Sequence, residues 1–469
     1  MITIDFSKRG NLSLTGFLYQ SLKHQILAGT LKPGEHLPSK RSLAQHLGAS
    51  VITIENAYDN LIAEGYIYSI EKKGFFVEEF NAAGEIAEKQ SAAIIPVSEE
   101  NTENTENPAQ TQSFFADFTK NAIAANKFPF NTWAKVTKQV LTRQSSQLLA
   151  TQNMQGCPAL RQAICQHLKS FRNIEADYDQ IIIGAGSEIL YNFILQLLGT
   201  NHIYAVENPG YHKIYKVFTS LGAKCAAINI DKSGILIDQL EKSNARTVHV
   251  TPSHHFPTGI VMPIKRRLEL LAWASAAPSR YIIEDDYDSE FRFTGRPIPT
   301  MYSVDENQRV IYLNTFSKTI APSIRISYMI LPASLLEEYH RRLDFYACTV
   351  SGFEQYTLAA FLARGSYEQH LNRMRKRYRQ KRDAVIGCIE NGALAGRASI
   401  MERGAGLHFL VHLQTELPDE VLRRRAAQQG LRLALLSDYY KDKQAAPMHV
   451  LVVNYSGLAL ERLPEALDR

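Results

Sequence analysis

Apolar residues recur at helical spacing near the start of the chain. Leu14, Leu18, Leu22 and Ile26 fall every fourth position before a Lys32-Pro33-Gly34 turn, a period that turns one face of a helix toward a core. Ser39 to Gly48 then reads as a short helix capped by Ser39 and ended by Gly48, and Ser50 caps a second one. In that second helix Ile54, Ala57, Tyr58 and Leu61 share a face, which leaves Val51, Ile52, Thr53 and Asn56 on the opposite, N-terminal side. After Gly65, the segment 66–77 reads as two strands about a Lys72-Lys73-Gly74 tip.

The pattern lapses over 81–113, where the run Ser98-Glu99-Glu100-Asn101-Thr102-Glu103-Asn104-Thr105-Glu106-Asn107-Pro108 repeats small polar and acidic types and predicts a solvated linker. From Phe114 onward β-type runs (180–183, 205–206, 247–250, 281–283 and 310–313) alternate with amphipathic helical stretches, as in an α/β fold with a parallel sheet. From about residue 335, long polar helices and the short strands 407–411 and 450–453 predict a smaller two-layer α+β part. The expected organisation is a small domain over 1–80, a linker over 81–113 and a large unit over 114–469.

A chain of 469 residues exceeds one ordinary core, and 45% hydrophobic against 21% charged residues excludes a disordered or fibrous state. The net charge of +5 is too mild to imply a nucleic-acid partner, so such an argument must be local. The five cysteines form no Cys-x-x-Cys pair, which signals neither a disulfide framework nor a metal site. No secretory or membrane-spanning segment stands out, and the chain reads as cytoplasmic.

Helix, turn, helix and hairpin, in that order, is the arrangement in which the start of the second helix meets base edges and the hairpin tip approaches phosphate. Plain packing of two helices gives the same geometry. The stretch Leu31-Lys32-Pro33-Gly34-Glu35-His36-Leu37-Pro38-Ser39-Lys40-Arg41, with Thr53-Ile54 and Leu61-Ile62-Ala63-Glu64-Gly65-Tyr66, resembles the GntR-type winged helix. The resemblance implies operator DNA as partner, with Ser39, Lys40, Arg41, Ser50, Val51, Ile52, Thr53, Asn56, Lys72, Lys73 and Gly74 as contact candidates. The family usually carries an arginine where this chain has Val51. Eight basic against six acidic residues over 1–77 make a weak electrostatic footprint.

A second constellation lies in the large unit. Lys318, in Thr315-Phe316-Ser317-Lys318, follows a buried strand, and Tyr281-Ile282-Ile283-Glu284-Asp285-Asp286-Tyr287 ends another. A pyridine cofactor needs a lysine amine, a carboxylate at the ring nitrogen and a phenol near the ring oxygen, and Lys318, Asp285 and Tyr287 supply them. Gly184-Ala185-Gly186-Ser187 before a helix, with Arg325, forms a candidate phosphate cradle. These segments, with Thr251-Pro252-Ser253-His254-His255-Phe256-Pro257-Thr258-Gly259 and Glu207-Asn208-Pro209-Gly210-Tyr211, resemble fold-type I aminotransferases. The closest likeness is to the MocR/GabR-type regulators that join such a module to a GntR-type domain.

That resemblance implies pyridoxal 5′-phosphate as cofactor, bound as a Schiff base to Lys318, with Asp285 at the ring nitrogen, Tyr287 at the ring oxygen and Tyr211 stacked on the ring. Gly186, Ser187, Glu188, Thr315, Ser317 and Arg325 would hold the phosphate. Phe256 stands where catalytic aminotransferases commonly place an asparagine, Thr151 where a partner-reaching tyrosine is usual, and Gly457 where an arginine clamps a substrate carboxylate. Lys213 is a candidate substitute for that arginine. The implied function is a homodimeric, head-to-tail domain-swapped transcriptional regulator. It would sense pyridoxal phosphate or a small amine or amino-acid-like effector, with vitamin B6 or amino-compound genes as targets. A catalytically active aminotransferase with a fused DNA-binding domain is the alternative, and a mere dimerisation scaffold a third. The basic run 373–382 reads either as a solvated helix or as a surface toward DNA or an acidic partner segment, through Arg375, Arg377 and Arg379.

Overall fold

The computed structural model describes residues 13–63, 66–70, 73–78, 114–120, 128–293, 299–402 and 406–469, with positions 4, 6, 9, 10 and 404. The expected linker 81–113 and the wing residue Lys72 lie outside the described residues. The chain divides into two compact units, Met1–Glu106 and Asn107–Arg469.

In the first unit, helix α1 (Leu14–Leu27) starts at Ser13, whose hydroxyl accepts from the Gly16 N–H. Helix α2 (Lys40–Leu47) starts where Ser39 accepts from the Ser42 N–H and stops at Gly48. Helix α3 (Val51–Ala63) begins after Ser50, whose hydroxyl accepts from the Thr53 N–H. Strands β1 (His36–Leu37), β2 (Ile67–Ile70) and β3 (Gly74–Val77) form an antiparallel sheet in the order β1-β3-β2. Leu18, Leu22, Ile26, Ile54, Ala57, Tyr58 and Leu61 are buried together, as their spacing predicts. Leu14 is the exception: it lies in the first turn of α1 and stays exposed.

The second unit is built on an eight-stranded sheet. Its strands are β5 (Ile181–Gly184), β6 (Ile203–Asn208), β7 (Lys224–Asp231), β8 (Gly234–Ile235), β9 (Ala245–Val250), β10 (Tyr281–Asp285), β11 (Val310–Thr315) and β12 (Ser327–Ile330), in spatial order β5-β12-β11-β10-β9-β6-β7-β8. The inner pairs β7/β6, β6/β9, β9/β10 and β10/β11 are parallel, whereas β12 runs antiparallel between β11 and β5. Helices cover both faces: Ile181 and Ile183 pack toward Pro158–Arg172 and Gly352–Ala363, and Ile182 toward Ser187–Leu198 and His212–Ser220. Both faces are therefore apolar, and only the strand ends carry chemistry.

Toward the C-terminus, the 26-residue helix Ser366–Asn391 packs on an antiparallel sheet of β13 (Ala398–Met401), β14 (His408–Leu413) and β16 (Val450–Asn454). Strands β4 (Ala116–Asp117) and β15 (Leu431–Arg432) add a short parallel pair. Among the described residues no helix is long and apolar enough to cross a membrane, no His/Cys/Asp/Glu cluster could hold a metal ion, and all five cysteines are unpaired.

Candidate functional site

The carboxyl ends of β6, β9, β10 and β11, the turn after β5 and the start of β12 converge on a cavity of about 420 Å³. Period-two alternation sorts the three acids of β10 and its exit. Glu284 and Asp286 face the interior, where Arg267 lies 3.6 Å from Glu284 and Arg172 lies 2.9 Å from Asp286. Asp285 faces the other way and lines the cavity. Its carboxylate accepts from the Tyr191 hydroxyl (2.8 Å), which is hydrogen-bonded to His249 (3.0 Å), and His249 itself stands 3.6 Å from Asp285. A carboxylate held from behind by two side chains is fixed in direction, as a partner for a ring nitrogen must be.

Lys318 opens into the same cavity beyond β11. Burial lowers its basicity, with Lys213 adding to the effect while Asp288 and Asp285 oppose it. A lysine with depressed basicity has a larger share of nucleophilic free amine at neutral pH. The Tyr287 hydroxyl donates to the His254 carbonyl (3.1 Å), and burial followed by the fields of Asp288 and Asp285 holds its pKa well above the ordinary phenol value. It therefore stays a neutral donor. Tyr211 is half exposed at the cavity mouth, edge-on to Phe256 with ring centroids 5.6 Å apart.

At the other end of the cavity, the helix Ser187–Leu198 begins after Gly186, whose φ of +100° and close approach to the Arg325 guanidinium suit glycine alone. Ser187, Glu188, Thr315, Ser317 and Arg325 all line this end. The Thr315 hydroxyl is engaged within the protein, accepting from the Ser317 N–H (3.1 Å) and Ser327 (2.8 Å). The Ser317 hydroxyl is buried with no hydrogen-bond partner. The Glu188 carboxylate accepts from Arg325 (2.8 Å) and from Lys213. Burial works against its ionisation, but hydrogen bonds from Lys213 and from its own backbone N–H, then Arg325, hold it down at about 2. A cradle of cations, helix-start N–H groups and an orphan hydroxyl at one end, with an amine, a carboxylate and a phenol at the other, fits a planar pyridine ring bearing a phosphate arm.

The structure thus brings Lys318, Asp285, Tyr287, Tyr211, Ser187, Glu188, Thr315, Ser317 and Arg325 to one cavity, with Gly186 beneath Arg325. Gly457 is not among the lining residues; it lies under the Lys120 carbonyl, and Asn454 is what β16 presents to the cavity. Val452 and Val450, two and four residues earlier in the strand, pack toward Phe256, Tyr439 and Tyr440. Lys213 is committed to Glu188 rather than left as a separate anion anchor. Thr151 is exposed and does not line its own chain's cavity.

Tyr191 and His249 were missed by the sequence reading, although a histidine inside the apolar run Thr247-Val248-His249-Val250 was a signal. Also missed was the buried pair Glu207 and His255, 3.4 Å apart. Burial pushes Glu207 up to about 8 and His255 down to about 3, so at neutral pH both are uncharged.

On the winged helix, Val51 and Ile52 are 43% and 68% exposed, and Arg41, Asn56 and Lys73 are exposed with them, while Thr53 is half-buried. Gly74 adopts φ +108° against the ring of His36, whose N–H donates to the Lys73 carbonyl (3.0 Å) and so pins the wing tip. Lys40 is engaged within the domain: its ammonium pairs with Glu55 (2.9 Å) and Asp59 (3.4 Å) on α3, a contact that a phosphate would have to displace. The basic run is likewise partly internal. Half-buried Arg375 donates to the Glu290 carbonyl (2.6 Å); Arg379 donates to that of Phe293 (3.0 Å) but is exposed, as are Arg373, Lys376 and Arg377. Arg375 acts as a clamp, which corrects its reading as a surface for DNA, while the exposed residues of the run agree with a solvated helix.

Comparison with known proteins agrees with this division. Residues 14–77 match the family described as bacterial regulatory proteins, gntR family, and residues 117–431 match aminotransferase class I and II. The chain is 34% identical over 452 residues to the uncharacterized HTH-type transcriptional regulator YdeL of Bacillus subtilis, covering 96% of this chain and 95% of that protein. It is 30% identical over 455 residues to the probable rhizopine catabolism regulatory protein MocR of Rhizobium meliloti, covering 96% and 92%. Among solved structures, the Pyrococcus horikoshii kynurenine aminotransferase superposes with a TM-score of 0.67 at 23% identity, over 76% of this chain and 89% of that one, a likeness of fold. The chain belongs to the MocR-type family of helix-turn-helix transcriptional regulators, in which a GntR-type winged helix is joined to a fold-type I, class I and II aminotransferase module.

Proposed function

We propose that the large unit holds pyridoxal 5′-phosphate on Lys318 and uses it to sense the cofactor itself or a small amine, and that the winged helix reports this state by its affinity for operator DNA. The observation that carries the reading is the buried Lys318 amine of lowered basicity sharing one cavity with Asp285 and Tyr287. When bound, the cofactor supplies an electrophilic carbonyl and an electron-accepting ring. The chain's own groups do the rest. Asp285, braced by Tyr191 and His249, would keep a ring nitrogen protonated; neutral Tyr287 would turn its one hydroxyl proton from the His254 carbonyl to a ring oxygen; Tyr211 and Phe256 would shield the ring face.

The cavity's cations define what the effector lacks. Lys213 and Arg325 both pair with Glu188, and of β16 only Asn454 lines the cavity. No unpaired arginine among the lining residues is placed to clamp a carboxylate in two-pronged fashion. An adjoining chamber of about 340 Å³ beyond Tyr211 and Phe256, walled by Tyr215, Tyr439 and Tyr440 with Lys216, Lys441 and Lys443 also lining it, suits an apolar body. The effector is accordingly an amine with an apolar body, or the cofactor alone. The protein works in the cytoplasm as a homodimer, head-to-tail and domain-swapped, on an operator with two half-sites.

The test is a fluorescence-anisotropy titration of operator DNA against pyridoxal phosphate and a panel of amines, on the wild type and on Lys318→Ala. Expected is a ligand-dependent shift in operator affinity and a yellow, borohydride-trappable adduct, both lost in Lys318→Ala. Retention of colour and response in the variant overturns the reading. The intact Lys318 and Asp285 also favour amino-group transfer, and steady-state turnover with a keto acid at ordinary rates would establish the enzyme instead.

A further inference from the structure

Four observations converge on Glu188. Its carboxylate accepts from both cations at the phosphate end of the cavity, Arg325 (2.8 Å) and Lys213. It also accepts from its own backbone N–H, in the first turn of the helix Ser187–Leu198. It lies close to Gly186, such that a Cβ there would come within 2.8 Å of it. Beside it the buried Ser317 hydroxyl has no hydrogen-bond partner. Cations, helix-start amide and glycine approach are the parts of an anion cradle, and a side chain of the chain itself already engages three of them.

We propose that Glu188 is a built-in competitor for phosphate, so that loading of the cofactor exchanges one anion for another and holds affinity in a range where the site responds to cofactor concentration. This deepens the Lys318 reading and rests on it for the identity of the ligand. A carboxylate and a phosphate sharing two cations repel at short range, a penalty that solvent reaching these part-exposed side chains screens only in part. Exchange also requires the Glu188 side chain to leave Arg325 and Lys213, which ties loading to movement at the start of this helix. An ordinary cradle, with a neutral side chain at this position, would bind the same phosphate more tightly and respond less to its concentration.

The experiment compares wild type with Glu188→Gln, and with Glu188→Ala as a second variant, after thermal melting has shown each to be folded. Dissociation constants are measured by absorbance for pyridoxal phosphate and for pyridoxal, which lacks the phosphate, and by calorimetry for inorganic phosphate alone. Glu188→Gln should tighten pyridoxal phosphate and inorganic phosphate by about tenfold or more while leaving pyridoxal unchanged. Equal phosphate affinity in all three proteins, weaker binding in the variants, or a gain shared by pyridoxal would each overturn the proposal. Calorimetry with inorganic phosphate needs no chemistry at residue 318, so absence of a trappable adduct would remove the Lys318 reading while the phosphate comparison still decides the role of Glu188.

Discussion

In the winged helix, the residues that would meet DNA, Arg41, Val51, Ile52, Asn56 and Lys73, lie on the outside. Its core is Leu18, Leu22, Ile54, Tyr58, Leu61 and their neighbours. No carboxylate, histidine, lysine or arginine is buried among the described residues of 13–78. In the larger unit the order is inverted: Glu207, His254, His255, Glu284, Asp286, Asp288 and Glu290 are buried in or behind the candidate site, several with strongly displaced pKa values. A surface that reads DNA can keep its polar groups in water and leave folding to an apolar core, so function and stability are separable there. A site that must tune an amine and a phenol needs desolvation, and desolvation of acids is itself destabilising. The two units should therefore fail in different ways.

The largest effect expected is in the small domain. Leu22 is fully buried in α1, and Leu22→Ala should cost ~3–5 kcal/mol, comparable to the whole stability of a domain of this size. Operator binding should vanish while the cofactor absorption of the larger unit persists. Loss of both together, followed by spectroscopy and anisotropy on one sample, would end the claim of separable units. The complementary change, Asp285→Asn, removes a charged partner of the ring nitrogen. It should weaken cofactor binding by about 2–3 kcal/mol, read as a rise in dissociation constant, with the melting of the winged helix unmoved.

How far the sequence foretold this contrast depends on the range of the interaction. Helix caps at Ser39 and Ser50 and the buried face of α3 are local patterns, and they were legible. Asp285 was legible through the aminotransferase-like wording of 283–291 and the chemistry a pyridine ring needs, but that Glu284 and Asp286 turn inward to Arg267 and Arg172 shows only once the helices carrying those arginines are in place. β12 and β8 escaped because they run antiparallel to their neighbours and lie outside the strand–helix alternation that marks the parallel strands. Lys40 and Arg375 looked more available than they are for a common reason. A basic side chain near a motif looks available until its partners, Glu55 and the Glu290 carbonyl, are in view. Tyr191 and His249 stand behind Asp285 for the same tertiary reason.

The inverted polarity of the larger unit can be tested by pH. Burial raises Glu207 to about 8 in the fold from an unfolded value near 4.5. Below pH ~4.5 both states are protonated and the group is neutral to stability. As pH rises toward 8 the unfolded chain releases the proton and the folded one retains it, so stability falls across this window. Glu207→Gln removes the difference. At ~1.4 kcal/mol per unit, and because any cost of a less well matched amide beside Thr251 is the same at both ends, the stability of Glu207→Gln relative to the wild type should rise by about 2–4 kcal/mol between pH 4 and pH 8. A pH-independent change in thermal midpoint would mean that Glu207 is ionised in the fold.

The smallest effect concerns the outer surface. Val51 sits at the start of α3, 43% exposed, beside Ile52 and near the free face of Arg41, at a position where an arginine could reach a phosphate without displacing any core side chain. Because nothing buried depends on it, Val51→Arg should leave thermal stability within ~0.5 kcal/mol. Operator affinity should rise only severalfold at low salt. The more telling quantity is the slope of log affinity against log salt, which should steepen by about 0.9 for one added phosphate contact. A severalfold gain with an unchanged slope would show that the new side chain touches a base edge instead. No change in either would place Val51 off the DNA-facing side and move the recognition surface toward Asn56.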